Sequence, residues 1–208
     1  MITTLEQLRT IYAQPAERAV KKQLDHLDAY CQHIIALSPF CVIATAGEGG
    51  ALLDASPRGG PKGFVKCVDE KHLLVPDAGG NNRLDSLSNL LRDPRIALLF
   101  FVPGVDETLR VNGTAQLRDE PEFILRFEGD RQLPKLVIEV RVQEVYLHCA
   151  KALMRSKLWD ADAQIARSEL PTLNEIIQAQ MGSSVVPEPQ ADMVRRYQQQ
   201  ITDEQGAR

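Results

Sequence analysis

Three polar, glycine-rich turns between residues 54 and 113 constrain the fold of this chain more than any other feature. They read DASPRGG from residue 54, PDAGGNNRLDS from residue 76 and PGVDETLRVNG from residue 103. The apolar runs that follow them are too short to be anything but strands or buried helical turns. The sequence therefore predicts a series of short elements joined by tight, polar connections.

The same turns hold the residue types that bind phosphate. Each places Arg or Lys beside small hydroxyl or amide residues, and glycine lets backbone N–H groups approach an anion closely. The segment 54–113 contains as many Asp and Glu residues as Lys and Arg residues, so it is not a basic patch. Any anion is therefore held by individually placed residues, and we expect a small ligand.

The pattern changes to β at Phe40. Strands are predicted over 40–46, 51–55, 64–68, 73–75, 96–102, 108–117 and 136–147, and the first four form two hairpins. Helical spacing is found over 83–92 and again over 120–127. Six or seven hairpin-linked strands with an inserted helix favour an antiparallel β-barrel with peripheral helices, an α+β fold, over repeated βαβ units.

Both ends of the chain are predicted to be helical. Thr3 and Glu6 have the spacing of a capping box, and a second helix is predicted from Pro15 to Ser38 on one apolar stripe. Further helices are predicted over 151–158, 172–181 and 191–202. The predicted organisation is an N-terminal helical cover at 1–38, a barrel domain at 39–160 and a C-terminal helical extension at 161–208.

Composition excludes several classes of protein. A net charge of −4 and a pI of about 5.6 argue against binding to nucleic acid, and no apolar run approaches membrane length. Residues 1–9 lack the apolar core of a signal peptide. The cysteines have no metal-ligand spacing, so four reduced, buried thiols in a cytoplasmic protein are expected, namely Cys31, Cys41, Cys67 and Cys149.

Four motifs in this order resemble the FMN-binding split-barrel family typified by pyridoxamine 5'-phosphate oxidase, in an oxidase-like subgroup. They are SPRG from residue 56, NRxDS from residue 82, ETLRVxG from residue 107 and HCAKAxxRSxLW from residue 148. The resemblance covers about residues 38–160. It implies a homodimer with FMN in a cleft between the subunits, to which both chains contribute.

The resemblance also implies the cofactor-binding residues, while no residue is singled out as catalytic. The expected FMN contacts are Ser56, Arg58, Phe64, Val65, Lys66, Asn82, Arg83, Ser86, Thr108, Arg110, Lys151, Arg155, Ser156 and Trp159. Compared with the oxidase, Arg58 replaces an Arg missing at Pro61, Leu84 stands in place of a Lys, and Thr108 in place of a Gln. The oxidase segment that grips pyridoxal phosphate is not recognisable, so FMN binding carries over and pyridoxamine phosphate oxidation does not.

Each residue also has a structural interpretation. Arg58 can be a solvated turn residue, Arg83 can pair with Asp85 or Asp77, and Lys66 can extend along the barrel surface. Thr108 and Arg110 can lie on the solvent-exposed face of a sheet, and Trp159 can anchor a terminal helix.

The sequence therefore favours a flavin-dependent oxidoreductase that acts on a small molecule by hydride transfer through flavin N5, with Arg110 or Lys151 stabilising reduced flavin. The alternatives are a non-catalytic module that stores or senses flavin, haem or deazaflavin, and a barrel without a ligand.

Overall fold

The short apolar runs that begin at Phe40 form one seven-stranded sheet in the computed structural model, which describes residues 1–77, 79–130 and 132–206. Ala78, inside the second glycine-rich turn, lies outside the described residues. The strands are β1 Phe40–Ala46, β2 Leu53–Gly59, β3 Lys66–Cys67, β4 His72–Pro76, β5 Arg95–Phe101, β6 Thr108–Arg118 and β7 Val137–His148.

All neighbouring strands in the sheet are antiparallel, in the order β2-β1-β5-β6-β7-β4-β3. The two predicted hairpins are present as β1–β2 and β3–β4. The sheet is open, with β2 and β3 at its edges, and it curls so that Arg58 on β2 reaches Asp77 just after β4. The predicted antiparallel fold class is confirmed, in the form of an open, split barrel.

Eight α-helices surround the sheet among the described residues. They are α1 Leu5–Ile11, α2 Glu17–Lys21, α3 Ala29–Leu37, α4 Asp85–Leu90, α5 Pro121–Ile124, α6 Lys151–Ser156, α7 Leu173–Met181 and α8 Gln190–Gly206. In this described part of the chain, no helix combines the length and apolar character needed to cross a membrane.

The core lies on the concave face of the sheet. Ile43 on β1, Leu98 and Phe100 on β5 and Leu109 on β6 have no exposed surface, and Ile35 of α3 packs in the same cluster. Burying side chains of this size contributes about 1.5–3 kcal/mol each. The opposite, outer face of β1, β2 and β5 is left uncovered, and Leu53 on β2 is 79% exposed.

The prediction of one helix from Pro15 to Ser38 is wrong. Leu24 leaves the helical conformation and forms an isolated bridge with Val145, with N···O distances of 3.0 and 2.7 Å. The helix restarts at α3, where the Asp28 side chain accepts a hydrogen bond from the N–H of Cys31. The apolar stripe is real, but a strand contact interrupts it.

Several boundaries also differ from the prediction. The cap of α1 is Thr4 rather than Thr3, because the Thr4 hydroxyl accepts the N–H of Gln7. β2 runs to Gly59, so Arg58 lies in a strand rather than a turn. α4 starts at Asp85, two residues after Arg83. Arg83 therefore precedes the helix instead of occupying its first turn.

The cysteines are free but not all buried. Cys31 and Cys41 lie in the core, and burial raises the pKa of each thiol to about 12. Cys67 is half-buried, and burial raises its pKa to about 11. Cys149 is exposed at the end of β7, so the prediction that it belongs to the core is wrong.

Candidate functional site

A cleft of about 530 Å³ opens between edge strand β2, the segment 79–84 and the start of α4. Its far wall is formed by residues 132–135, which a backbone hydrogen bond of 2.7 Å from Gln132 to Glu204 joins to α8. The volume lies in the range of about 300–1,000 Å³ that is typical of cofactor and small-molecule sites.

Arg58 lies within this cleft. It faces the concave side of β2, opposite Cys41, and its side chain is 19% exposed. Its Nη1 donates to Asp77 Oδ1 at 2.7 Å, whereas its Nε is buried without a hydrogen-bond partner among the described residues. An unsatisfied buried donor on a cation is costly, so this side chain is suited to a further acceptor from a ligand.

Arg83 reaches the same cleft from the segment before α4. Its Nε donates to Asp85 Oδ2 at 2.8 Å, and the side chain is 71% exposed. Its neighbours Asn82 and Leu84 both have φ of 59°, which is uncommon for residues other than glycine. Asn82, Arg83 and Leu84 all line the cleft.

Ser56 and Ser86 line the cleft and share one acceptor. Both hydroxyls donate to Asp54, Ser86 at 2.5 Å and Ser56 at 2.9 Å to the same Oδ2 atom. Ser86 is only 2% exposed. The structure thus brings together five of the predicted residues: Ser56, Arg58, Asn82, Arg83 and Ser86.

A second group of predicted residues is not brought to this cleft. Phe64 and Lys66 line a separate cavity of about 290 Å³, where the Lys66 ammonium pairs with Asp130 and lies 5.7 Å from the centre of the Phe127 ring. Val65 is a core residue, 2% exposed. Lys66 therefore has a carboxylate partner of its own rather than a place beside Arg58.

A third group lies on the outer face of β6 and β7. Thr108 and Arg110 project from β6, and Arg110 Nη2 donates to Glu144 Oε1 at 2.5 Å while its guanidinium stacks 5.1 Å from the Tyr146 ring centre. Arg110 Nε is buried without a partner in the described part of the chain. Nearby, burial lowers the pKa of His148, and the positive charges of Arg110 and Lys22 lower it further.

The remaining predicted residues follow β7. Lys151, Arg155 and Ser156 lie on α6, and Arg155 Nε donates to the Lys151 carbonyl at 3.0 Å. The Trp159 indole N–H donates to the Val105 carbonyl, also at 3.0 Å, which ties the end of α6 to the β5–β6 connection. None of these four residues lines the cleft.

Sequence reasoning anticipated the pairing of Arg83 with Asp85 but missed Asp54 and the pairing of Arg58 with Asp77. Asp54, Ser56 and Arg58 alternate along β2, and this period of two was a usable signal that all three share one face. Asp77 and Asp85 pair with the two arginines, so the cleft is close to neutral. Nothing in the sequence indicated that Glu204 lines the cleft, because only the fold brings α8 beside it. No group of three potential metal-ligating residues occurs among the described residues.

Comparison of the sequence with models of protein families identifies one family. A family model described as pyridoxamine 5'-phosphate oxidase matches residues 27–149, more than half of the chain. A comparison with curated protein sequences gave no significant match.

Several solved structures are similar over most of their own length. HupZ of Group A Streptococcus has a TM-score of 0.47 and 17% identity, covering 58% of this chain and 92% of that chain. An FMN-binding protein from Syntrophomonas wolfei has a TM-score of 0.44 and 11% identity, with coverage of 56% and 81%. The FAD binding protein of Mycobacterium smegmatis has a TM-score of 0.42 and 13% identity, with coverage of 60% and 97%.

Proposed function

The chain belongs to the pyridoxamine 5'-phosphate oxidase family, and from this premise we propose that its cleft binds a flavin, FMN, and that it is a flavin-dependent oxidoreductase acting on a small molecule. The observation that carries the proposal is Arg58, a largely buried guanidinium in the cleft with an unsatisfied Nε. A phosphate oxygen would supply the missing acceptor.

In this proposal Arg58 and Arg83 hold the phosphate, and Asp77 and Asp85 keep the two guanidinium groups in place before the ligand arrives. Asn82 adds an amide beside them. The flavin supplies hydride transfer when it is bound. The residues of the chain bind the nucleotide tail, orient it and cover one side of it.

We further propose that the chain works as a homodimer. Thr108, Arg110, Lys151, Arg155, Ser156 and Trp159 do not line the cleft of their own chain. The uncovered apolar face of β1, β2 and β5 offers a surface on which a second copy would pack, and this would allow these residues to reach the partner's cleft. The free cysteines agree with a cytoplasmic location.

Binding of FMN and riboflavin to matched variants tests the phosphate site. Arg58→Ala and Arg83→Ala should weaken FMN binding much more than riboflavin binding, because a charge-assisted hydrogen bond contributes about 1.5–3 kcal/mol. We expect a loss of tenfold or more for Arg58→Ala and a smaller loss for the exposed Arg83. Arg92→Ala, on an exposed residue just beyond α4, is the control.

Equal weakening of both flavins, or no weakening in either arginine variant, would refute the phosphate assignment. Addition of NADH or NADPH then separates the two functional classes. A flavin spectrum that bleaches and recovers in air supports the oxidoreductase, whereas bound flavin that ignores both reductants indicates a binding module.

A further inference from the structure

Asp54 lies behind the wall of the cleft and joins two of its elements. Its carboxylate accepts the hydroxyl of Ser86 on α4 at 2.5 Å and the hydroxyl of Ser56 on β2 at 2.9 and 3.2 Å. Both serines line the cleft, and Asp54 itself does not. The three side chains therefore form one hydrogen-bonded unit in the wall of the cleft, with Ser56 partly exposed and Ser86 2% exposed.

The chemistry of this unit limits what it can bind. An ionised carboxylate only accepts hydrogen bonds, and a serine hydroxyl has one proton and two lone pairs. Since both protons are directed to Asp54, Ser56 and Ser86 have only lone pairs left for a ligand. They can accept hydrogen bonds from a hydroxyl group, but they cannot donate to a phosphate oxygen.

We propose that Asp54 is a positioning residue that makes Ser56 and Ser86 acceptors for the hydroxyl groups of a polyol chain. This assignment rests on the proposed flavin function and deepens it, since the ribityl chain of a flavin is such a polyol. The cleft then recognises the two parts of the tail with different groups. The serines recognise the sugar alcohol, and Arg58 and Arg83 recognise the phosphate.

A second tether keeps α4 in place when Asp54 is changed. Asn89 of α4 donates through its Nδ2 to the Thr45 hydroxyl on β1 at 3.1 Å. Leu90 of the same helix is 5% exposed and packs in the main core. Variants at Asp54 are therefore expected to fold with α4 still docked.

Three flavins separate the two recognition steps. Lumiflavin has neither polyol nor phosphate, riboflavin has the polyol, and FMN has both. The affinity ratio of riboflavin to lumiflavin reports the polyol contacts, and the ratio of FMN to riboflavin reports the phosphate contacts. We would measure both ratios for wild type, Asp54→Asn, Ser86→Ala and the control Ser88→Ala, whose hydroxyl lies on the exposed side of α4.

We expect Asp54→Asn and Ser86→Ala to lower the riboflavin-to-lumiflavin ratio about three- to tenfold, the range for one or two neutral hydrogen bonds. The asparagine keeps the tether, but its amide donates to one serine, which occupies one lone pair of that hydroxyl and frees its proton, so the serine offers the cleft fewer acceptor positions. The FMN-to-riboflavin ratio should not fall in either variant. Ser88→Ala should leave both ratios unchanged.

Two results would overturn the assignment while leaving flavin binding intact. Equal loss of all three flavins in Asp54→Asn would mean that Asp54 only supports the fold. A fall in the FMN-to-riboflavin ratio in Ser86→Ala would mean that the serines contact the phosphate. A wild-type protein that binds none of the three flavins would overturn the proposed function and this assignment together.

Discussion

Gly113 determines which side chains β7 presents on the outer face. The β6–β7 register passes from Asn112 opposite Glu144 to Gly113 opposite Val142, so Gln143 is an extra residue in β7. This bulge shifts the alternation, so that Glu144 and the residues two and four positions after it point outward. A side chain at Gly113 would place its Cβ 2.1 Å from the Arg141 carbonyl oxygen.

Gly113→Ala should therefore destabilise the protein. The contact is with backbone in the middle of two long strands, which cannot move aside cheaply, and overpacking of this kind costs about 1–3 kcal/mol or more. Urea unfolding would measure the loss. Gly79→Ala is the matched control, because no atom lies within 4 Å of its added Cβ. A loss at Gly113 below about 0.5 kcal/mol, the level of ordinary surface changes, would contradict the argument.

At the scale of elements, the break between α2 and α3 depends on two local features. The bridge between Leu24 and Val145 holds an extended residue where the apolar stripe alone favours a helix. Asp28 then supplies the cap that allows a new helix to start. The hydrogen bond from the Cys31 N–H is the main cause that lowers the pKa of Asp28, so the cap is formed by the ionised carboxylate.

Asp28→Ala should reduce the free energy of unfolding by about 0.5–2 kcal/mol at pH 7, the usual effect of losing a helix cap. Because the folded-state pKa of Asp28 is depressed, this stabilisation is complete above its unfolded value and is lost as pH falls through the folded value. The difference between wild type and variant should therefore shrink in acid.

Urea unfolding of wild type, Asp28→Ala and Asp28→Asn between pH 7 and pH 2 would check this. Asparagine can still cap the helix, so Asp28→Asn should retain most of the stability at neutral pH. A difference between wild type and Asp28→Ala that stays constant across this range would show that the carboxylate charge has no part in the cap.

The sequence was sufficient for most strands and insufficient where distant segments meet. The strands follow from short apolar runs, from the alternation over 136–147 and from turn residues such as Gly and Pro between them, which are local signals. The extended conformation at Leu24 could not be predicted from the sequence. The apolar residues between Pro15 and Ser38 have the same spacing whether they lie on one helix or on two. Its cause is a hydrogen-bond pair with Val145, far away in the chain.

The candidate site was predictable to a similar extent. The family resemblance was enough to assign the SPRG and NRxDS motifs to one site. The structure places their arginines, Arg58 and Arg83, in one cleft. The pairing of Lys66 with Asp130 depends on how the loop after α5 folds back, which no local pattern encodes. Asp54 had a signal, its alternation with Ser56 and Arg58, but only the docking of α4 reveals its second partner.

At the scale of the whole molecule, two of the predicted site arginines lie on different surfaces. Arg58 lies on the concave side of β2 in the cleft, and Arg110 lies on the outer face of β6 with its Nε unsatisfied. The face of β2 next to this outer surface is apolar and uncovered, as Leu53 illustrates. A closed twofold dimer would pair such faces with themselves and place each outer cluster against the neighbouring subunit.

If the protein forms such a dimer, two variants that each bind FMN weakly should complement each other when their subunits are mixed. Arg58→Ala damages the cleft, and Arg110→Ala damages the contribution from the neighbouring subunit, so each homodimer should bind FMN weakly. Mixed dimers contain one site in which both arginines are intact and one in which both are missing. With random exchange, about a quarter of all sites should regain wild-type affinity, measured by FMN titration of the mixture after subunit exchange.

The same titration can test which face of the sheet forms the dimer interface. Adding Leu53→Asp to both chains should abolish the recovery, because a dimer interface would bury the new carboxylate without a partner. Val68→Asp serves as the control, since Val68 is 45% exposed in the β3–β4 connection, at the other edge of the sheet. If the mixture binds no more FMN than the two variants measured apart, while co-purification through a different affinity tag on each variant shows that mixed dimers have formed, Arg58 and Arg110 do not act in one shared site.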